Sequence, residues 1–182
     1  MHNLAYLSLG SNVGDRAESL KNAVVRLRAL GEVGAVSSFY ETEPVEVINQ
    51  PWFLNCVVEL DTEMTPEQLL AGILELEQAM GRRRVQAKGP RNIDLDILLF
   101  GDLIVDTKDL SIPHPAMHER RFVLEPLAEI APEARHPVLK RTARELLEEL
   151  PARYSVRVAA VGLRKPDLGP PTSDFGPRKV KS

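Results

Sequence analysis

Residues 53–60, FLNCVVEL, alternate without a break. Leu54, Cys56, Val58 and Leu60 fall on one face and Phe53, Asn55, Val57 and Glu59 on the other, because strand side chains alternate with a period of two. The β-prone run before it, AVSSFYET at 35–42, is joined to it by the polar, Pro-bounded EPVEVINQP. No helix fits between the two, and a parallel pair needs a crossover helix. The strands are therefore antiparallel, which argues against a doubly wound parallel sheet.

The other elements fit around this pair. LAYLSLG at 4–10 reads as a first strand ended by glycine. Asp15 is placed to cap a helix, with Glu18 three residues on. Leu20, Ala23, Val24, Leu27 and Leu30 follow at helical spacing, and Gly31 and Gly34 end the run. Thr65-Pro66-Glu67-Gln68 opens a second helix with a buried stripe of Leu69, Leu70, Ile73, Leu76 and Met80, stopped by Gly81. GPRNIDLDILLF (89–100) leads into another strand, and Gly101-Asp102 can turn it into a hairpin with LIVD. A Pro-rich loop, SIPHPAMHERRF, precedes a short helix over VLEPLAEIAPEA, and Thr142 with Glu145 caps a last helix through Leu150. The order β-α-β-β-α-β-β followed by helices predicts an α+β fold. The natural solution is a ferredoxin-like sandwich, a mainly antiparallel sheet with helices packed on it. The domain spans 1–164, and 165–182 is a Pro-, Gly- and Lys-rich tail without a core of its own.

The chain of 182 residues suits one domain, and 43% hydrophobic residues supply one sizeable core. A net charge of −3 and a pI near 5.9 give no general pull toward nucleic acid or a membrane surface. An anionic ligand needs a local basic cluster instead. The single cysteine, Cys56, lies in an apolar run and reads as a buried structural thiol. No apolar stretch approaches the roughly 18 residues of a membrane span, and the N-terminus lacks a signal-peptide pattern. A soluble, cytoplasmic protein is expected.

Asp94 and Asp96 share one face of their strand, roughly 7 Å apart along it. Strands are depleted in Asp, and the two charges repel. A divalent cation between them relieves that repulsion. Mg²⁺ takes one or two carboxylates and completes its octahedron with water and phosphate. The preceding RRRVQAKGPR supplies Arg82, Arg83, Arg84, Lys88 and Arg91. Cations for phosphate beside carboxylates for Mg²⁺ are the two halves of a nucleotide polyphosphate site. Arg120 and Arg121 form a second basic pair, and His114 between two prolines is a loop contact candidate. No GxxxxGK[ST] occurs, so the site is not a P-loop. GSNVGD reads as an N-cap turn, since Asp15 there would repel phosphate. Phe53 and Asn55, neighbours on the half-polar face, suit a flat heterocycle that stacks on one and bonds the other. An RNA-binding or ligand-sensing module is the competing class, but a nucleic-acid surface would avoid two carboxylates beside its basic stripe.

GSNVGDR, FYETEPVEVINQPWFLNCVVEL, LELEQAMGRRR, GPRNIDLDILLFGD and IPHPAMHERRFVLEPLAEIAPE, in that order, resemble the 6-hydroxymethyl-7,8-dihydropterin pyrophosphokinase family over roughly residues 4–150. The resemblance implies pyrophosphoryl transfer from ATP to the pterin hydroxymethyl oxygen, with AMP released and two Mg²⁺ bound. It assigns Asp94 and Asp96 to the metals. Arg82 and Arg91 become contacts to the transferring phosphates, Arg84 and Arg120 further phosphate or nucleotide contacts, and Glu77 and His114 nucleotide contacts. Thr42, Phe53, Asn55 and Phe122 become the pterin pocket, with Phe53 and Phe122 on either side of the heterocycle. Lys88 stands where many relatives carry an aromatic residue, and Ala87 where they carry a basic one.

Overall fold

The computed structural model describes residues 1–43, 51–81, 92–151, 156–160 and 162. Strands β1 (Asn3–Ser11), β2 (Glu32–Val36), β3 (Tyr40–Thr42), β4 (Phe53–Thr62), β5 (Asp94–Phe100) and β8 (Val156–Val158) form one sheet. Its order is β5-β1-β4-β3-β8, with β2 also on β4, and every pairing is antiparallel. The alternation of β4 sorts its two faces as the sequence predicts. Leu54, Cys56, Val58 and Leu60 join Leu7, Leu9, Leu95 and Ile97 in the larger core cluster. Val57 joins the second, with Leu98, Met117, Val123, Leu124 and Leu127.

Helices α1 (Arg16–Leu27) and α2 (Pro66–Ala79) cover the first face through Leu20, Ala23, Val24, Leu27, Leu69, Ile73 and Leu76. Each fully buried leucine there contributes roughly 1.5–3 kcal/mol relative to an exposed one. The caps are as read. Asp15 accepts from Glu18 N at 3.1 Å, and Thr65 with Gln68 closes a capping box at 3.2 and 2.9 Å. Helices α3 (Arg121–Ile130) and α4 (Ala143–Glu149, boxed by Thr142 and Glu145) cover part of the other face. Cys56 is fully buried, and burial pushes its thiol pKa up. Among the described residues, no helix is long and apolar enough to cross a membrane.

Three local expectations change. Helix α1 stops at Leu27, and Gly34 lies within β2. The expected strand over 35–42 is split into β2 and β3 by Ser37 and Ser38, whose side chains bond where a regular strand would use backbone. Ser37 Oγ accepts from Val57 N at 2.9 Å, and Ser38 gives its N–H and hydroxyl to Glu129 of α3. LIVD does not pair with β5. After a turn at Gly101 (φ 52°), β6 (Val105–Asp106) pairs with β7 (Ser111–Ile112) as a separate two-stranded sheet. Backbone groups of β5 bond elsewhere instead, Leu95 N to the Glu77 carboxylate and Leu98 O to His114 N. The edge strand β8 has no counterpart in the sequence reading.

His136, in the loop before α4, is buried, and its Nδ1 accepts from Val138 N and Leu139 N at 3.3 and 3.1 Å. Burial first, and the neighbouring His118 second, hold its pKa below the usual 6.5. The unfolded chain therefore binds this proton more readily than the fold does. Stability is full above about pH 6.5 and falls as the pH drops below it. Melting temperatures measured from about pH 7.5 to about 5.5 should show that loss. The loss should be smaller in His136→Asn, whose Oδ1 can accept the same amides. An unchanged pH slope in the variant would assign the acid sensitivity to other groups.

Candidate active site

The first residues of β5 set the site. Asp94 lies opposite Gly10 of β1, and Gly10 lies opposite Asn55 of β4. Asp96 lies opposite Ser8 in the same way. Residues directly opposite in an antiparallel sheet share a face. Asp94, Asp96 and Asn55 are therefore neighbours across three strands, on the face whose next residues, Val57 and Leu98, pack with α3. Both aspartates are half-buried, whereas Ile93 and Leu95 on either side of Asp94 are buried in the core. The apolar residues anchor the strand and the carboxylates remain at its surface.

Gly10 matters for its lack of a side chain. A Cβ there would lie 2.8 Å from Asn55 Oδ1 and 3.8 Å from Phe53 Cδ1. The Asn55 amide lies over this bare backbone. Its Nδ2 donates to Thr42 Oγ1 at 2.7 Å, and both residues are only 4% exposed. Thr42 pairs directly with Phe53 across β3 and β4. Three of the four residues expected in a heterocycle pocket are thus brought together. The fourth, Phe122, stands in the first turn of α3 against the second core cluster, with the Arg120 guanidinium 5.7 Å from its ring.

Glu77 is 3% exposed, and its Oε1 accepts from Leu95 N at 2.9 Å. It ties α2 to β5 at the residue between the two aspartates. Asn92 closes the C-terminal end of α2 by donating to Met80 O at 2.6 Å, next to Gly81 at φ 80°. The basic segment thus departs from and returns to pinned positions. Arg82, Arg84 and Arg91, with Ala87 and Lys88, lie outside the described residues.

His114 Nδ1 accepts from Ala116 N at 3.2 Å, so in the neutral ring Nε2 carries the proton. Burial first, then Arg120, lowers its pKa, while Asp94 opposes them. His114 is therefore neutral at neutral pH and offers its Nε2–H as a donor. Beside it is a cavity of about 260 Å³ between α2 and the β6–β7 hairpin, lined among others by Leu70, Ile73, Ile97, Asp96, Lys108 and Ser111. Sequence reasoning missed this cavity. Leu70 and Ile73 read as ordinary core positions, and nothing local ties them to residues 108–111.

Among the described residues, no group of three or more His, Cys, Asp or Glu could hold a metal. The donor set is two half-buried carboxylates on one strand face. This suits Mg²⁺, which fills its remaining positions with water and phosphate oxygens.

The family model of 7,8-dihydro-6-hydroxymethylpterin-pyrophosphokinase matches residues 6–132. The chain is 49% identical over 132 residues to a 2-amino-4-hydroxy-6-hydroxymethyldihydropteridine pyrophosphokinase of Bacillus subtilis, covering 71% of this chain and 79% of the relative. It is 40% identical over 144 residues to the protein of that name from Aquifex aeolicus, covering 79% and 90%. Folic acid synthesis protein fol1 of Schizosaccharomyces pombe is 42% identical over 82% of this chain, which spans only 21% of that longer protein. A solved structure of Plasmodium falciparum HPPK-DHPS with pteroate superposes with a TM-score of 0.70 at 22% identity, over 82% of this chain and 42% of that one, which supports the fold alone. The chain belongs to the 7,8-dihydro-6-hydroxymethylpterin-pyrophosphokinase family.

Proposed function

We propose that the chain transfers the pyrophosphoryl group of ATP to the hydroxymethyl oxygen of 6-hydroxymethyl-7,8-dihydropterin, giving the pterin diphosphate and AMP in folate biosynthesis. The observation that carries this reading is the row Asp94–Gly10–Asn55 across β5, β1 and β4. It sets a carboxylate pair beside a small polar pocket with an aromatic edge, in a chain of this family.

The hydroxymethyl oxygen forms a bond to the β-phosphorus while the bond from that phosphorus to the α,β-bridging oxygen breaks. AMP leaves with the electron pair, and the hydroxyl proton goes to solvent. Two Mg²⁺ held by Asp94 and Asp96 would supply charge neutralisation at the α- and β-phosphates and acidify the attacking hydroxyl. The chain's own part is positioning and electrostatics. Arg82 and Arg91 grip the transferring phosphates, and Arg84 and Arg120 hold the rest of the nucleotide. His114 donates from Nε2 to the nucleotide. Glu77 holds Leu95, and so keeps the spacing of the aspartates. The cavity against Leu70, Ile97 and Ser111 takes the adenosine part. Asn55 and Thr42 bond the edge of the pterin, and Phe53 and Phe122 flank its faces.

The ferredoxin-like assignment is supported by the order β5-β1-β4 and then β2 and β3, with α1 and α2 on one face. The catalytic domain is taken as 1–164, with 165–182 as a tail, and the nucleotide substrate goes with a cytoplasmic setting. Incubation with ATP, Mg²⁺ and the reduced pterin should yield AMP. Formation of ADP would replace pyrophosphoryl transfer with ordinary kinase chemistry. Chelation of the metal should abolish AMP formation.

A further inference from the structure

Glu41 is the middle residue of the three-residue strand β3, directly opposite Arg157 of β8. Its two carboxylate oxygens go to two different arginines. Oε1 accepts from Arg16 Nη2 at 3.1 Å, and Oε2 accepts from Arg157 Nε and Nη2 at 3.0 and 2.7 Å. The same two arginines hold Trp52. Arg16 Nη1 donates to the Trp52 carbonyl at 2.9 Å, and the Arg157 guanidinium lies 5.0 Å over the indole. Trp52 precedes Phe53 and Glu41 precedes Thr42, so this clamp sits one residue before each of two directly paired pocket residues. Thr42 in turn receives the Asn55 amide. Strand β8 lies past residue 132, where the match to the family model ends.

We propose that Arg157 is a positioning residue for the pterin pocket, acting through Glu41 and Trp52 on Thr42, Phe53 and Asn55. The proposal rests on the functional reading above. Without β8, the three residues of β3 would form the edge of the sheet, where short strands fray. Arg157 is 66% exposed, so its ion pair contributes little to global stability. Its effect should therefore appear in ligand recognition rather than in melting temperature.

The test is steady-state kinetics of Arg157→Ala and Arg157→Lys against both substrates, read as AMP. The KM for the pterin should rise roughly five-fold in Arg157→Ala while the KM for ATP holds. Arg157→Lys, which keeps the charge, should recover part of the loss. Trp52, the single tryptophan of the chain, gives a second readout. Its emission should shift in Arg157→Ala before any ligand is added. An active wild-type chain with an unchanged pterin KM in Arg157→Ala, or with both KM values raised alike, would overturn the proposal alone. A wild-type chain that makes no AMP would overturn the functional reading and this proposal with it.

Discussion

Asp96→Ala is expected to lower turnover by about a thousand-fold or more, equivalent to about 4 kcal/mol of transition-state stabilisation. Asp96 is half-buried, and its strand is anchored by Leu95, Ile97 and Leu99. The fold should survive. Alanine removes one of two repelling charges and an intrinsically poor strand former. Its melting temperature should stay near that of the wild type. Steady-state AMP formation beside a thermal melt separates the two effects. Near-normal turnover would remove the metal role assigned to Asp96. Asp96→Asn, which keeps the shape and loses the charge, should fail nearly as badly.

Asn55→Leu should raise the KM for the pterin by about a hundred-fold and leave the KM for ATP unchanged. Leucine is close to asparagine in size but cannot bond the edge of a heterocycle. Asn55 is also the donor to Thr42 Oγ1, and both residues are buried. The variant therefore leaves a buried hydroxyl without this partner, at a stability cost of about 1–2 kcal/mol. Gly10→Ala tests the same feature from below. A methyl group 2.8 Å from Asn55 Oδ1 must push the amide aside. It should weaken pterin recognition in the same direction without removing a polar atom. If both variants keep the wild-type KM for the pterin, the pocket lies elsewhere.

Much of the scaffold was legible because its signals are local. The alternation of 53–60 sorts residues into the two core clusters seen in the structure. The caps at Asp15, Thr65 and Thr142 are short side chain–backbone bonds within four residues. What was misread involved competition between distant groups. Gly101-Asp102 signals a turn, but a turn does not name the partner of the strand that follows. Glu77 and the His114 backbone bond to β5, and β6 pairs with β7. Strand β8 is only three residues long. Its pairing depends on β3 rather than on its own periodicity.

The sequence by itself determined the succession of the main strands and helices from β1 to β5, the antiparallel pairing of the β4 region with the strand before it, and the adjacency of Asp94 and Asp96. Each follows from the period of a strand or from a chain too short for a crossover. Only the tertiary structure decided that Asn55 lies over Gly10 in one row with Asp94, because register across three strands joins residues scattered from position 10 to position 94. It alone brought Arg16, Glu41, Trp52 and Arg157 into one clamp, and α2 and the β6–β7 hairpin around one cavity. Such contacts carry no local sequence signal, since their energy is gained only after the sheet has brought the strands together.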